Sequence, residues 1–254
     1  MNKTILITGA TSGIGRSCAN RFAAEGCKVI MTGRRKDRLE SIASDLMNRF
    51  HARVHILAFD VTNRAQVTHA LEELPDEFRR IDVLINNAGL ALGLNPIDKG
   101  NSDQWETMID TNIKGLLFVT HAVIPLMLEN GSGHIINIGS IAGREAYLNG
   151  NVYCATKAAV DSLTKAMRID LLTKNIKVSQ VAPGAAETEF SMVRFSGNED
   201  AARNVYKGYE PLHPDDIADL IHYMVALPPH VNINDVLIMP AAQAAAGIFN
   251  KKQY

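Results

Sequence analysis

The sequence has 254 residues, of which 46% are hydrophobic and 21% are charged, and its formal net charge at pH 7 is −1. This length predicts one or two domains, and the composition is that of a globular protein rather than a disordered chain. The near-neutral charge argues against a nucleic-acid-binding surface, because such a surface requires clustered lysine and arginine.

Cysteine and histidine usage limits the possible cofactors and locations. Three cysteines without a C-x-x-C pair argue against both a disulfide framework and a thiolate metal site. The eight histidines have no paired ligand spacing, so we expect no metal. The longest apolar stretch, 115–128, is shorter than the roughly 20 residues of a membrane span, and no export signal develops at the N-terminus. We therefore expect a protein of the reducing cytoplasm.

Short apolar, often β-branched runs alternate with longer helical patterns along the chain. This alternation predicts β-α-β units with right-handed crossovers and a mostly parallel sheet. We predict an α/β protein, a single doubly wound Rossmann domain over residues 1–254 with about seven strands. The predicted strands are 4–7, 28–31, 54–57, 83–85, 135–138, 177–181 and 236–239.

Two later segments do not follow this alternation. Residues 188–213 have weak strand signals and many polar residues, which in a compact domain is typical of a binding loop. We predict that they form a lid over the substrate. We expect the alanine-rich tail after Pro240 to pack against a neighbour.

A glycine-rich turn follows the first predicted strand. Gly9, Gly13 and Gly15 have the spacing G-x-x-x-G-x-G and lead into a predicted helix. Glycines let the backbone pass close to a pyrophosphate, and the helix N-terminus supplies N–H groups and partial positive charge. The alternative is a tight turn without a ligand, since the spacing differs from the standard G-x-G-x-x-G fingerprint.

Two arginines, Arg34 and Arg35, follow the second predicted strand. In a Rossmann fold this position faces the adenosine ribose, where an acidic residue selects the free 2′-hydroxyl of NAD. A guanidinium group favours the 2′-phosphate of NADP instead, because its planar fork binds phosphate. An ordinary basic helix start is the alternative, since Lys36 and Arg38 continue the run.

A tyrosine and a lysine, Tyr153 and Lys157, lie four residues apart and therefore on one face of a predicted helix. A nearby ammonium group favours the phenolate and lowers the pKa of tyrosine. Such a pair can exchange a proton with a substrate oxygen while a cofactor carries hydride. Ser140 follows a predicted strand, where its hydroxyl can polarise a carbonyl. The alternative for the pair is a surface helix contact.

These motifs occur in one order along the chain, and their combination resembles the classical short-chain dehydrogenase/reductase family over residues 3–240. The motifs are Gly9, Gly13, Gly15, Asp60, Val61, the segment 86–89, Asn112, Ser140, Tyr153, Lys157, Pro183, Gly184 and Thr188.

The resemblance implies a role for four catalytic residues. Tyr153 would be the catalytic acid/base, and Lys157 would lower its pKa and bind the nicotinamide ribose. Ser140 would position the substrate oxygen, and Asn112 would hold a water in the proton relay.

The resemblance also implies an NADP site, with Asp60 and Val61 at the adenine, Asn87 along the cofactor and residues 183–188 at the carboxamide. Ala185 and Ala186 depart from the family pattern of a bulkier residue after Pro-Gly. The implied cofactor-binding residues are Gly9, Thr11, Ser12, Gly13, Ile14, Gly15, Arg34, Arg35, Asp60, Val61, Asn87, Ala88, Gly89, Tyr153, Lys157, Pro183, Gly184 and Thr188.

A narrower similarity concerns the segments 86–93, 105–112 and 188–195, which are similar to NADP-dependent 3-hydroxy acid dehydrogenases. This similarity implies oxidation of serine, allo-threonine or other 3-hydroxy acids, or reduction of the semialdehydes, by a homotetramer. A hydroxy acid requires a cation for its carboxylate. The candidates are Arg194 in the lid and Arg144 shortly after Ser140, and either can instead be a surface arginine.

Two other functions are compatible with the motifs. One is an NADPH-dependent carbonyl reductase for bulkier ketones or acyl-carrier substrates, because sequence does not determine the shape of the lid. The other is a non-catalytic NADP-binding regulator, which the intact set of Ser140, Tyr153 and Lys157 disfavours. The fold alone does not decide among these functions.

Overall fold

The computed structural model describes residues 1–252, and seven strands form one sheet in the order β3-β2-β1-β4-β5-β6-β7. All neighbouring strands in this sheet are parallel, so the predicted doubly wound α/β fold is confirmed. The strands are β1 Thr4–Ile7, β2 Lys28–Gly33, β3 Val54–Ala58, β4 Val83–Asn86, β5 Gly133–Ile138, β6 Ile176–Pro183 and β7 Asp235–Ile238.

Helices cover both faces of the sheet. Connections between parallel strands must cross the sheet, and helices make those crossovers here. The helices are α1 Gly13–Ala24, α2 Lys36–Phe50, α3 Arg64–Glu72, α4 Asp76–Arg79, α5 Ser102–Ile109, α6 Leu116–Glu129, α7 Asn151–Asp170, α8 Glu189–Arg194, α9 Glu199–Asn204 and α10 Pro214–Ala226.

The central strand β1 shows why the apolar runs are continuous. Ile5, Leu6 and Ile7 are fully buried, and successive side chains of a strand point to opposite faces. Ile5 and Ile7 belong to a core that includes residues of α1, α2 and α10. Leu6 belongs to a second core on the other face, which includes residues of α3, α4 and α6. A strand between two cores has no polar face.

The strand order places a crevice at the carboxyl ends of β1 and β4. The chain runs outward from β1 through β2 to β3, and then returns to the other side of β1 to form β4. Ile5 pairs with Val29 on β2 and with Val83 on β4. Parallel sheets of this kind bind ligands at the point where the strand order reverses.

A π-helical segment, Asp110–Gly115, joins α5 to α6. The helical stretch Ser102–Glu129 has 28 residues and is long and apolar enough to cross a membrane by length and composition. From the sequence, the apolar stretch 115–128 is too short for a membrane span. In the structure the helix is longer, because the π-helical segment joins this stretch to α5. The inner face of α6 packs on the sheet, with Val119, Val123 and Met127 almost completely buried.

The tail after Pro240 folds back as an antiparallel hairpin, with β8 at Gln243–Ala245 and β9 at Ile248–Phe249. The ring of Phe249 lies 4.8 Å from that of Tyr209 between their centroids. The backbone N–H of Lys252 donates to the carbonyl of Gly208 at 2.8 Å. The tail therefore packs against the predicted lid of its own chain.

Candidate active site

A cavity of about 630 Å³ opens at the switch point between β1 and β4. The turns after β1, β2, β4, β5 and β6 line one side of it, and the predicted lid, with α8, lines the other. Residues of the C-terminal hairpin, including Gln243 and Phe249, complete the wall.

The glycine turn after β1 requires residues without side chains. Gly9 and Gly13 have φ values of +66° and +50°, in the left-handed region that favours glycine. A Cβ atom at Gly15 would overlap the carbonyl oxygen of Gly9. Gly15 therefore lets α1 pack closely on the turn, whereas Gly9 and Gly13 line the cavity.

Hydrogen bonds attach this turn to the end of β4. The Asn87 side chain donates to the carbonyls of Thr8 and Gly9 at 2.9 and 3.1 Å. The backbone N–H groups of Asn87 and Ala88 donate to the Thr8 hydroxyl at 3.0 and 2.9 Å. The two turns that form the crevice are thus held together by polar groups of the predicted motif.

Arg34 and Arg35 line the end of the cavity beside β2. Arg35 donates to the hydroxyls of Thr11 and Ser12 at 2.7 and 3.4 Å, which holds its guanidinium group against the glycine turn. The Arg34 guanidinium lies 3.7 Å from the carboxylate of Asp60. Two arginines at this position, together with the glycine cradle, fit a dinucleotide that carries a 2′-phosphate.

Ser140, Tyr153 and Lys157 come together at the carboxyl end of β5. Ser140 is the second residue after β5, and its hydroxyl accepts a hydrogen bond from the N–H of Ala142 at 3.1 Å. Tyr153 and Lys157 lie on one face of α7 and are both buried. The Lys157 ammonium donates to the carbonyl of Ile138 at 2.8 Å.

Burial shifts these two titrating groups in opposite directions. It raises the pKa of Tyr153 above the usual value for tyrosine, with a further rise from Tyr147 and smaller opposing effects of Ser140 and Arg194. It lowers the pKa of Lys157 to about 8. The direction for Tyr153 is opposite to the expected one, because desolvation of the phenolate outweighs the opposing effects of Ser140 and Arg194.

Asn112 lies in the π-helical segment and is almost completely buried. Its side-chain oxygen accepts from the N–H of Leu90 at 2.8 Å. Its amide donates to the Leu90 carbonyl at 2.8 Å and to the Thr156 hydroxyl at 3.1 Å. Asn112 thereby joins the segment after β4 to α7, and its role with water remains a prediction.

The two candidate arginines occupy different surroundings. Arg194, at the end of α8, lines the cavity, and its guanidinium carbon lies 5.6 Å from the ring centroid of Tyr153. It donates to the hydroxyl of Tyr147 at 2.8 Å. Arg144 instead forms an ion pair with Asp235 on β7 and is not among the residues that line the cavity. This placement favours Arg194 over Arg144 as the carboxylate ligand, and that assignment stays a prediction.

Most of the predicted site residues line one cavity. Gly15, Asn112 and Arg144 lie outside its lining. Within residues 1–252, no group of three or more metal-ligating side chains could hold a metal ion. The predicted residues that line the cavity are Gly9, Thr11, Ser12, Gly13, Ile14, Arg34, Arg35, Asp60, Val61, Asn87, Ala88, Gly89, Ser140, Tyr153, Lys157, Pro183, Gly184, Thr188 and Arg194.

Sequence reasoning did not select several side chains of the substrate region. Tyr147 contacts Arg194, and the ring of Phe190 lies 5.6 Å from that of Tyr153 between their centroids. Gln243 accepts a hydrogen bond from the N–H of Ala185 at 2.8 Å. These residues come from a loop, the lid and the tail, where no spacing pattern indicates which side chains meet.

Comparisons with known proteins identify similar dehydrogenases and reductases. Serine 3-dehydrogenase of Rhizobium radiobacter is 48% identical over 247 residues, which are 97% of each chain. Sulfoacetaldehyde reductase 2 of Chromohalobacter salexigens is 47% identical over 245 residues, or 96% of each chain. The NADP-dependent 3-hydroxy acid dehydrogenase YdfG of Salmonella typhi is 47% identical over 245 residues, covering 96% of this chain and 97% of that one.

The chain is also similar to a solved structure and matches a family model. The closed form of a serine dehydrogenase complexed with NADP⁺ is 45% identical, with a TM-score of 0.91 and coverage of 98% of this chain and 100% of that chain. The family model for short chain dehydrogenase matches residues 3–199. The chain therefore belongs to the short-chain dehydrogenase family.

Proposed function

We propose that the protein is an NADP-dependent oxidoreductase that interconverts small 3-hydroxy acids with their 3-oxo acids or semialdehydes. The substrates would be of the serine, allo-threonine and 3-hydroxypropionate type. The observation that carries this proposal is the position of Arg194. Its guanidinium group lies inside the same cavity as Ser140 and Tyr153, 5.6 Å from the Tyr153 ring.

The side chains around the reacting oxygen account for the proton transfer. When bound, NADP takes up or returns the hydride. Because its pKa is raised, Tyr153 holds its proton and is suited to donate it to the oxygen of an oxo substrate. Ser140, at the end of β5, can donate a hydrogen bond to the same oxygen. In the oxidative direction, Tyr153 must accept the proton as a phenolate, which a charged Lys157 would favour.

An anionic group on the substrate would find its partner at Arg194. A carboxylate taken out of water requires a charged hydrogen-bond donor, and a guanidinium group provides two parallel N–H donors. The Tyr147 hydroxyl accepts from Arg194, so its own hydrogen remains available for the same anion. Two of the relatives are named after serine and sulfoacetaldehyde. Each of these compounds is a small molecule with one anionic group.

The experiment that tests this proposal is a substrate panel. Serine, allo-threonine and 3-hydroxypropionate are each supplied with NADP⁺ and with NAD⁺, and the absorbance of the reduced nicotinamide is followed. Sulfoacetaldehyde and bulky ketones are tested in the reductive direction with NADPH. The highest kcat/KM is expected for a small hydroxy or oxo acid with the NADP cofactor. A preference for bulky neutral ketones would contradict the proposal.

We further propose that the enzyme is a cytoplasmic homotetramer. The three cysteines are free thiols and are buried, which suits a reducing compartment. Large apolar side chains remain exposed on the outer surfaces of α6 and α7. An exposed apolar surface of this kind is typical of an interface between subunits.

A further inference from the structure

Glu189 connects the lid to the arginines beside β2. It is the first residue of α8, directly after Thr188, which packs against Gly13. Its carboxylate accepts from the Arg38 guanidinium at 3.0 and 3.1 Å and from Arg35 at 3.3 Å. One carboxylate of the lid therefore binds two guanidinium groups, one from the turn before α2 and one from the first turn of α2.

Arg35 belongs to the set of residues that fits the 2′-phosphate of NADP. It lines the cavity beside Arg34, and the hydroxyls of Thr11 and Ser12 hold its other terminal nitrogen. Glu189 also lines this cavity. The carboxylate thus neutralises Arg35, one of the two arginines that line the cavity beside β2, and Arg38, outside the cavity lining, shares the same carboxylate.

The ion pairs of Glu189 are weak enough to be exchanged. The side chains of Glu189, Arg35 and Arg38 are 49%, 44% and 51% exposed. Ion pairs with this exposure contribute about 0–1 kcal/mol, because water screens them. A phosphate carries up to two negative charges and three acceptor oxygens, so it competes effectively with a single carboxylate for the same arginines.

We propose that Glu189 is a cofactor-selectivity residue, whose carboxylate occupies Arg35 and Arg38 in place of the 2′-phosphate and ties α8 to them. This inference rests on the proposed use of NADP. On binding NADP, the two arginines bind the 2′-phosphate in place of the carboxylate. The ion pairs that hold α8 against them are then lost. NAD has no 2′-phosphate, so these ion pairs of Glu189 remain when NAD binds. Glu189 thereby couples the identity of the cofactor to the mobility of the lid.

The first test measures the 2′-phosphate contribution directly. The compounds 2′,5′-ADP and 5′-AMP differ only in the 2′-phosphate, and calorimetry gives the Kd of each for the wild type and for Glu189→Gln. Removing the competing charge is expected to raise the preference for 2′,5′-ADP by about twofold to fivefold. The Kd of 5′-AMP should stay unchanged, which also shows that the variant is folded.

Glu187→Gln is the matched control. Glu187 is exposed, lies two residues before Glu189 and forms no salt bridge within the described residues 1–252. Its substitution changes the net charge of the protein equally. The nucleotide preference of this variant should equal that of the wild type.

The second test measures the release of α8 by hydrogen exchange of the amides of residues 189–194. In the wild type, saturating 2′,5′-ADP should accelerate this exchange severalfold, whereas saturating 5′-AMP should not. In Glu189→Gln, the exchange should already be fast without nucleotide. Unchanged exchange in this variant would overturn the coupling to the lid.

The outcomes separate this inference from the proposed function. If the wild type prefers 2′,5′-ADP but Glu189→Gln does not raise that preference, the role of Glu189 is overturned and the use of NADP stands. If the wild type binds 2′,5′-ADP and 5′-AMP equally, the use of NADP and the role of Glu189 are both overturned. A raised preference together with faster exchange supports the inference.

Discussion

At the scale of single residues, Tyr153 and Lys157 show how one environment produces two different effects. Both side chains are buried on the same face of α7, and burial disfavours whichever form of each group is charged. Tyr153 is therefore a neutral proton donor, and the pKa of Lys157, at about 8, lies close to neutral pH. Burying the charged ammonium group of Lys157 lowers the stability of the fold, and such a loss of stability is common in active sites.

Replacing Tyr153 with phenylalanine tests the proton transfer. Tyr153→Phe removes the hydroxyl and retains the ring that packs beside Phe190. We expect kcat to fall by about 10²–10⁴-fold, the usual contribution of a positioned acid or base. The Kd of NADP, measured by fluorescence titration, should hardly change. Turnover at the wild-type rate would show that another group supplies the proton.

The lowered pKa of Lys157 predicts a specific dependence of stability on pH. An unfolded lysine titrates near pH 10.4, whereas Lys157 titrates at about 8 in the folded protein. Between these values the unfolded chain binds more protons, so the free energy of unfolding should rise with pH, by at most about 1.4 kcal/mol per pH unit. Below pH 8 the full cost of burying the charge is present.

Lys157→Met should lack this rise and should be more stable than the wild type at pH 7. Urea unfolding of both proteins between pH 7.5 and 10.5 measures the difference. Lys165→Met is the control, because Lys165 lies on the same helix with an exposed side chain. An identical pH dependence in wild type and Lys157→Met would show that Lys157 is not penalised by burial.

Replacing Arg194 with methionine tests whether the site binds the carboxylate of the substrate. Arg194→Met keeps much of the apolar stem and removes the guanidinium group. We expect a loss of roughly 2–4 kcal/mol in transition-state stabilisation for a 3-hydroxy acid, because deletion leaves a buried anion without its partner. The methyl ester of the same acid should be nearly unaffected. The measurement is kcat/KM for acid and ester in both proteins.

Arg144→Met is the matched control for this experiment. Arg144 forms its ion pair with Asp235, outside the cavity lining, so its loss should reduce kcat/KM for acid and ester equally or not at all. An equal decrease for acid and ester in Arg194→Met would mean that Arg194 shapes the lid and does not bind the carboxylate.

At the scale of secondary-structure elements, the parallel strands are the part that sequence predicts best. A strand such as β1, buried on both faces, must be continuously apolar, and this pattern is visible without a structure. The turn after β1 and the Tyr-Lys face of α7 are also predictable, because glycine spacing and a pair four residues apart on a helix depend on local geometry.

Other elements depend on contacts between distant segments, which one sequence does not reveal. The hairpin of β8 and β9 is short and rich in alanine, so its position depends on packing against Tyr209 in the lid. The contact between Tyr147 and Arg194 joins residues 47 positions apart. The raised pKa of Tyr153 depends on burial, whereas the sequence shows only its charged neighbour.

We expect the turn between β2 and α2 to determine the choice of cofactor. Replacing both Arg34 and Arg35 with alanine removes the guanidinium groups that line the cavity there. We expect the KM for NADP to increase much more than the KM for NAD, because only NADP carries the 2′-phosphate. Steady-state kinetics with both cofactors measures this change. Equal use of the two cofactors by the wild type would contradict the NADP assignment.

At the scale of the whole molecule, several large apolar side chains stay exposed outside the cores. Ile169, in the last turn of α7, and Leu172, just after that helix, are 75% and 74% exposed. Leu117 and Leu128 add partly exposed apolar surface on α6. In a single chain these side chains contact water, which is unfavourable by about 25 cal/mol for each Å² of apolar surface.

Assembly into a symmetric tetramer would remove this surface from water. We expect light scattering at micromolar concentration to give a mass about four times the 27.7 kDa of the chain.

The double variant Ile169→Glu with Leu172→Glu should give a smaller mass, because burying two carboxylates in an apolar interface is costly. Met47→Glu, which changes a 45% exposed residue on α2, is the control and should keep the wild-type mass. A wild-type mass of 27.7 kDa would refute the tetramer, and an unchanged mass in the double variant would place the interface on another surface.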